Sequence, residues 1–150
     1  MQQLNLPQAD LRIATEGSLT KVYDPYRRKF VKLTPEEYVR QTFLAYLTNC
    51  LHYPAGRTAV EQFVGINNLK QRADIVVYDK QMRPYLIVEC KAPSVPVTQS
   101  VFEQALRYNT RLNVKYLIVT NGLQHFCADV SDPQNVVFQK NIPPYDGGIL

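Results

Sequence analysis

The chain has 150 residues, 45% hydrophobic and 20% charged, a composition that excludes a disordered chain and allows one domain with a substantial core. The net charge of +4 and the pI of about 9.0 permit a polyanionic partner but do not require one. There is no apolar run long enough for a membrane helix, no targeting segment and no C-x-x-C pair among three cysteines, so we expect a cytoplasmic protein with reduced, mostly buried thiols.

The first 33 residues are predicted to form an arm followed by a small hairpin. Residues 1–10 carry no helix or strand pattern, so we expect a loose arm. Two short runs, 21–23 and 29–33, flank the turn-forming pair Asp24–Pro25. The tip of this hairpin carries Arg27, Arg28 and Lys29. These cations would be either a solvated turn or a contact to a phosphate.

A helix is predicted from Thr34 to about Leu51, because Thr34 is a good N-cap and Glu37 completes a capping box. Apolar residues then recur at helical spacing, namely Val39, Phe43, Tyr46, Leu47 and Cys50. At about 100° per residue, Glu36 lies on this apolar stripe and Glu37 lies roughly 100° away. We therefore expect Glu37 to cap the helix and Glu36 to point inward. The alternative is that both acids only favour the positive end of the helix dipole.

Three strands are predicted to follow, the first at Thr58–Val64 with Glu61 as its only acid. The runs Ile75–Tyr78 and Tyr85–Val88 are rich in Val, Ile and Tyr and flank a polar turn, which is typical of a β-hairpin with a longer loop. After the hairpin, the sequence predicts a helix at Gln99–Leu112, capped by Thr98, and a buried strand at Lys115–Thr120. A turn at Asn121–Gly122 and short strands at Gln124–Val130 and Asn135–Phe138 are predicted to follow. This order predicts an α/β fold, with a mixed sheet flanked by helices.

Charged residues stand where the predicted hairpin ends. Asp74 precedes the first run, and Glu89 and Lys91 follow the second. Strand alternation points Glu89 and Lys91 to one face and Cys90 to the other. A hairpin here brings Asp74 close to Glu89, and such carboxylates are costly to bury unless they are paired or bound to a metal.

These residues resemble a known family. Asp74 followed by Glu89-Cys90-Lys91 is similar to the D…ExK signature of the PD-(D/E)XK nuclease superfamily. More closely, R-A-D-I-V-V-Y-D, I-V-E-C-K-A-P, Q-x-x-x-Y at Gln104 and Tyr108, and V-T-N-G from Val119 resemble the N-terminal nuclease domain of type I restriction enzyme R subunits, over about residues 34–127. The resemblance implies a restriction-endonuclease-like αβββαβ core. We expect one domain, made of the arm and hairpin (1–33), the core (34–130) and a C-terminal extension (131–150).

The resemblance also implies a Mg²⁺-dependent deoxyribonuclease, with Mn²⁺ as a substitute. Asp74, Glu89 and the backbone carbonyl of Cys90 would supply the hard oxygen ligands that Mg²⁺ prefers. Lys91 would orient or deprotonate the attacking water, or stabilise charge on the phosphate. In this superfamily the first helix often lends a Glu, for which Glu36 is the better positional match. Gln104 and Tyr108 would hydrogen-bond Lys91 or the scissile phosphate.

Two alternatives remain open at this point. The charged hairpin end is also compatible with a purely structural ion pair. A binding module on the same fold would hold nucleic acid or protein through a basic face, for which the candidates are Arg72, Arg107, Arg111, Lys115 and the Arg27–Lys29 turn. The chain has no G-x-x-x-x-G-K-[ST] motif, so besides DNA we expect separate motor or specificity proteins as partners.

Overall fold

A computed structural model describes residues 1–64, 71–109 and 112–146 of the chain. The strands are β1 (Ile13–Glu16), β2 (Leu19–Asp24), β3 (Lys29–Lys32), β4 (Thr58–Val64), β5 (Gln71–Tyr78), β6 (Pro84–Cys90), β7 (Tyr116–Thr120), β8 (His125–Asp129) and β9 (Val137–Gln139), and the helices are α1 (Pro35–Asn49) and α2 (Gln99–Asn109). None of the helices in these ranges is long and apolar enough to cross a membrane.

The main sheet contains six strands in the order β4 to β9. Strands β4, β5 and β6 pair antiparallel, β6 and β7 pair parallel, and β7, β8 and β9 again pair antiparallel. A parallel step between consecutive strands needs a crossover, and α2 lies in that connection. The predicted α/β class, with a mixed sheet flanked by helices, is confirmed.

Each face of the main sheet is covered by a helix, which explains why the central strands are apolar throughout. One core joins Phe43 of α1 to Ile75 and Leu86. The other joins Phe102 of α2 to Ile87 and its neighbours on the opposite face. Because successive side chains of a strand alternate between faces, both sets of side chains of a doubly covered strand can be buried, and in β7 every position is.

A second sheet contains β1, β2 and β3, and the turn between β2 and β3 contacts α1. The hairpin of β2 and β3 was predicted, whereas β1 was not. Tyr26 from its turn hydrogen-bonds Thr48 of α1, with 2.6 Å between the two oxygens. Helix α1 is therefore buried on two sides, and polar residues such as Gln41 and Thr42 are buried along with its apolar stripe.

The prediction of a loose arm is wrong. Residues 1–10 contain no helix or strand, but Leu4 is buried and the backbone N–H of Asn5 donates to the carbonyl of Gly122 at 2.8 Å. The arm therefore docks on the turn between β7 and β8, where Gly122 has a φ of +86°. Cys50 is exposed, unlike the other two thiols. The predicted continuation of α2 through residues 110 and 111 lies outside the described residues.

Candidate active site

The sheet is irregular at Asp74. Ala73 and Ile75 lie two apart yet belong to opposite cores, so the alternation of β5 breaks at the residue between them. The pairing of β4 with β5 includes Val60–Ile75 and Gln62–Ala73 but omits the position between them, where Glu61 faces Asp74. Glu61 has a φ of +55°, in the left-handed region that is costly for a residue with a Cβ. The irregularity thus places two acids side by side.

Both carboxylate oxygens of Asp74 are held by hydrogen bonds. The backbone N–H of Cys90 donates to Oδ2 at 2.8 Å, which ties Asp74 to the end of β6. Nη2 of Arg40 donates to Oδ1 at 2.9 Å, which ties it to α1. Asp74 is therefore fixed at the point where three elements meet.

The side chain of Glu89 lies beside that of Asp74, as expected from the predicted hairpin. The two carboxyl groups lie within hydrogen-bonding reach of each other, and the side chain of Asn109 also donates to Glu89. Burial, together with the nearby negative charge of Asp74, raises the pKa of Glu89 to about 7. Asn109 and Lys91 act in the opposite direction on that pKa. The pair thus holds negative charge that is poorly compensated.

Lys91 follows β6 directly. Its backbone N–H donates to the carbonyl of Thr120 at 2.8 Å, which continues the parallel pairing of β6 with β7 for one residue. Its ammonium is close enough to lower the pKa of Glu89. Cys90 packs in the α1 core, so Glu89 and Lys91 point away from that core, as strand alternation predicted.

The prediction that Glu36 of α1 points inward is wrong, because Glu37 is the glutamate that points inward. The side chain of Glu36 is 49% exposed, whereas that of Glu37 is 7% exposed. The Glu37 backbone N–H donates to Oγ1 of Thr34, as the predicted cap requires, but the Glu37 carboxylate does not complete the capping box. Instead the Glu37 carboxylate accepts hydrogen bonds from Arg27 and Arg40. The hairpin supplies Arg27 beside α1, and this contact draws Glu37 inward.

Sequence reasoning missed Arg40, which joins most of the acids of the site. Its Nη1 lies 2.5 Å from Glu37, and its Nη2 lies 2.8 Å from Glu61 as well as near Asp74. Oε2 of Glu36 is 3.7 Å from the same Nη2. A signal was present, since an arginine four residues after Glu36 and three before Phe43 falls on the apolar stripe.

The predicted polar residues of α2 are exposed instead of reaching Lys91. Gln104 is exposed and Tyr108 is 51% exposed. Among the described residues, Asn109 is the α2 side chain that contacts Glu89. Gln104 and Tyr108 lie roughly 100° to 140° around the helix from Asn109, which directs them to solvent.

The three candidate nucleic-acid contacts that lie in the described residues do not form one face. Arg72 pairs with Glu61 beside the site, with its side chain 60% exposed. Lys115 pairs with Asp129 and begins β7, at the opposite end of the sheet from Glu89, because Glu89 pairs with Val119. Arg107 is exposed on α2, and Arg111 lies outside the described residues.

The donor set suits a hard divalent cation. Asp74 and Glu89 bring two acidic groups together, and the Cys90 backbone joins them at the same edge. A cation there would relieve the repulsion that raises the pKa of Glu89. Within residues 1–64, 71–109 and 112–146, no three His, Cys, Asp or Glu side chains are arranged as a complete metal site, so backbone and solvent oxygens would have to complete the coordination.

The large cavities lie elsewhere. One of about 660 Å³ separates the β1–β3 sheet from α1, and another of about 660 Å³ lies between α2 and the β8–β9 edge. Neither is lined by Asp74 or Glu89. The carboxyl pair therefore lies outside both of these cavities, on the inner strands β5 and β6.

Comparison with known proteins identifies the family. A model of the family described as type I restriction enzyme R protein N terminus (HSDR_N) matches residues 35–143. A solved structure described as a fragment assigned to an HsdR subunit of a type I restriction enzyme from Vibrio vulnificus YJ016 is similar in fold, with a TM-score of 0.55 and 21% identity over 77% of this chain. This chain spans 24% of that one, and no curated protein matches it. Since the family model covers more than half of the chain, the chain belongs to the family of type I restriction enzyme R protein N termini.

Proposed function

We propose that the chain is a metal-dependent deoxyribonuclease of the PD-(D/E)XK type, which hydrolyses DNA phosphodiesters with Mg²⁺ and accepts Mn²⁺ instead. The observation that carries this proposal is the meeting of Asp74 and Glu89, where burial and like charge raise the pKa of Glu89 to about 7. A salt-bridged hairpin end would pair such an acid with a cation in contact. Glu89 instead has a neutral amide and another carboxyl as its hydrogen-bonding neighbours.

The residues have distinct tasks in this proposal. Asp74, Glu89 and the Cys90 carbonyl would hold the ion, which supplies a water of lowered pKa and neutralises phosphate charge. Asp74 is held ready by Arg40 and the Cys90 amide, so little ordering is needed when the ion binds.

Lys91 is the group placed to act on the phosphate or the water. It stands two residues beyond Glu89, at the same end of β6, and its charge acts on Glu89. An ammonium there can orient the attacking water or stabilise charge that grows on the phosphate oxygens. Gln104 and Tyr108, exposed on α2, would contact the DNA backbone from the side.

Glu36 stands at the rim, 3.7 Å from Arg40, and would contribute at most through a bound water. We also propose that DNA is the substrate, that the protein acts in the cytoplasm, and that motor or specificity proteins act with this domain. Support comes from the family match and from the similarity to a chain of which this one spans 24%.

Plasmid nicking tests the proposal. The chain should nick supercoiled plasmid in Mg²⁺ or Mn²⁺ and not in EDTA, and Asp74→Ala, Glu89→Gln and Lys91→Ala should each lower the rate by at least about 100-fold. Glu103→Gln, an exposed acid on α2, is the matched control and should leave the rate unchanged.

The rival function, a binding module without catalysis, predicts a different pattern. DNA affinity would then fall steeply with salt, would not depend on the metal, and would be unchanged by Glu89→Gln. Equal nicking by the parent and the three site variants would refute the proposed nuclease activity of this site.

A further inference from the structure

We infer that Arg40 supplies, as a permanent part of the protein, the positive charge that a second divalent ion would bring to this site, so that the site takes one metal ion. The inference rests on the proposed function and goes beyond it by fixing the metal stoichiometry. It is carried by the position of one guanidinium nitrogen.

Nη2 of Arg40 is the point where acids from three elements converge. It lies 2.9 Å from Asp74 on β5, 2.8 Å from Glu61 on β4 and 3.7 Å from Glu36 on α1. The first two are normal lengths for a charge-assisted hydrogen bond. Carboxylates that converge from separate elements are the usual surroundings of a bound cation. Here the cation is a side chain.

The charge of Arg40 is permanent. Its side chain is 5% exposed, and burial alone would lower its pKa, but Asp74 and Glu37 outweigh burial and the pKa of Arg40 is raised. A guanidinium in this setting stays protonated at every pH at which the protein is folded. It cannot leave with a chelator, as a metal ion would.

The charge balance of the connected groups leaves room for one divalent ion. The carboxylates are six, namely Asp24, Glu36, Glu37, Glu61, Asp74 and Glu89, and the cations are four, namely Arg27, Arg40, Arg72 and Lys91. With all of them ionised, two negative charges remain. One Mg²⁺ neutralises the group, whereas a second would leave two uncompensated positive charges in a partly buried site.

The backbone at Glu61 supports the same assignment. Glu61 adopts a φ of +55° opposite Asp74, and from there its carboxylate reaches both Arg40 and the exposed Arg72. A strained residue persists where surrounding contacts hold it. Glu61 therefore acts as the counter-ion of Arg40, and Arg40 is a positioning residue for Asp74.

The test counts metal ions bound to the whole chain. Calorimetric titration with Mn²⁺ at pH 8, with Mn²⁺ electron paramagnetic resonance as a second readout, should give one ion per chain and no coupled Mn–Mn signal. Arg40→Met keeps much of the side-chain volume and removes the charge, so it should bind two ions. Arg40→Lys restores a cation and should bind one. Arg83→Met is the matched control, because Arg83 pairs with Asp79 and with none of the acids counted above, and it should also bind one.

The outcomes separate the two proposals. No Mn²⁺ binding by the parent chain in the millimolar range refutes the proposed function itself. Two ions in the parent chain, or one ion in a folded Arg40→Met, refutes the role of Arg40. Loss of a buried cation can unfold the variant. In that case Glu61→Gln decides, since it should leave one ion and change its affinity less than about threefold if Glu61 serves Arg40, and more than about tenfold if Glu61 is itself a ligand.

Discussion

Replacing Glu89 with glutamine should stabilise the metal-free protein above neutral pH. Burial and the charge of Asp74 raise the pKa of Glu89 from its ordinary 4.5 to about 7. The folded chain therefore binds more protons than the unfolded chain between these values, and the free energy of unfolding falls as pH rises across that window. Glutamine imitates the protonated acid in shape and has no proton to lose. The variant therefore does not lose this part of the free energy of unfolding as pH rises.

The size of the effect follows from the shift. Two and a half pH units correspond to roughly 3 kcal/mol, and coupling between the two carboxyl groups makes this an upper value. We expect Glu89→Gln and the parent to have similar stability near pH 4.5 and to differ by roughly 2–3 kcal/mol at pH 8. Mg²⁺ should narrow the gap, because it stabilises only the chain that binds it.

Urea unfolding in EDTA, followed by far-UV circular dichroism from pH 4.5 to 8, measures this difference. Burial lowers the pKa of His125, which acts with the opposite sign, since that stability is lost as pH falls below about 6.5. His125 is present in both proteins, so its effect cancels in the difference. Glu103→Gln on the surface of α2 should follow the parent at every pH. If the curves of Glu89→Gln and the parent run parallel, the reasoning about the carboxyl pair is wrong.

Two further predictions concern the surroundings of the site. Gly122→Ala should destabilise the protein by about 2–4 kcal/mol in urea unfolding, because its φ is +86° and a Cβ would lie 2.8 Å from Leu4. Gly17→Ala has a φ of +63° with open space around it, so it should cost only about 1 kcal/mol, and equal losses would exclude the clash as the cause. Asn109→Ala should raise the pKa of Glu89 further and weaken Mn²⁺ binding about 10-fold at pH 7 in calorimetry, with a smaller effect at pH 9; a loss that does not change with pH would contradict this role.

The parts of the site that could be predicted from the sequence are local. Alternation within β6 orients Glu89 and Lys91, and a hairpin brings Asp74 beside Glu89 whatever surrounds it. The Thr34 cap likewise depends on residues within one turn of helix. Such contacts need only the chain nearby, so pattern and spacing suffice.

Two of the errors have non-local causes, and the first is a second sheet that contacts α1. An apolar stripe identifies one buried face, but α1 has two, and the choice between Glu36 and Glu37 depends on Arg27 from the hairpin. The burial of Leu4 on Gly122 is a second contact of this kind, since more than 100 residues separate them in the chain. Neither contact leaves a periodic signal at either end.

The distribution of cations explains which acids are left for a metal. Glu37 contacts two guanidinium groups, and so does Glu61. Glu89 contacts no guanidinium group among the described residues, and burial and the charge of Asp74 raise its pKa. A divalent ion gains most where negative charge is least compensated and oxygen atoms already converge. In the proposed site that place would lie between Glu89 and the Asp74 carboxylate, because Arg40 already satisfies the other oxygen of Asp74.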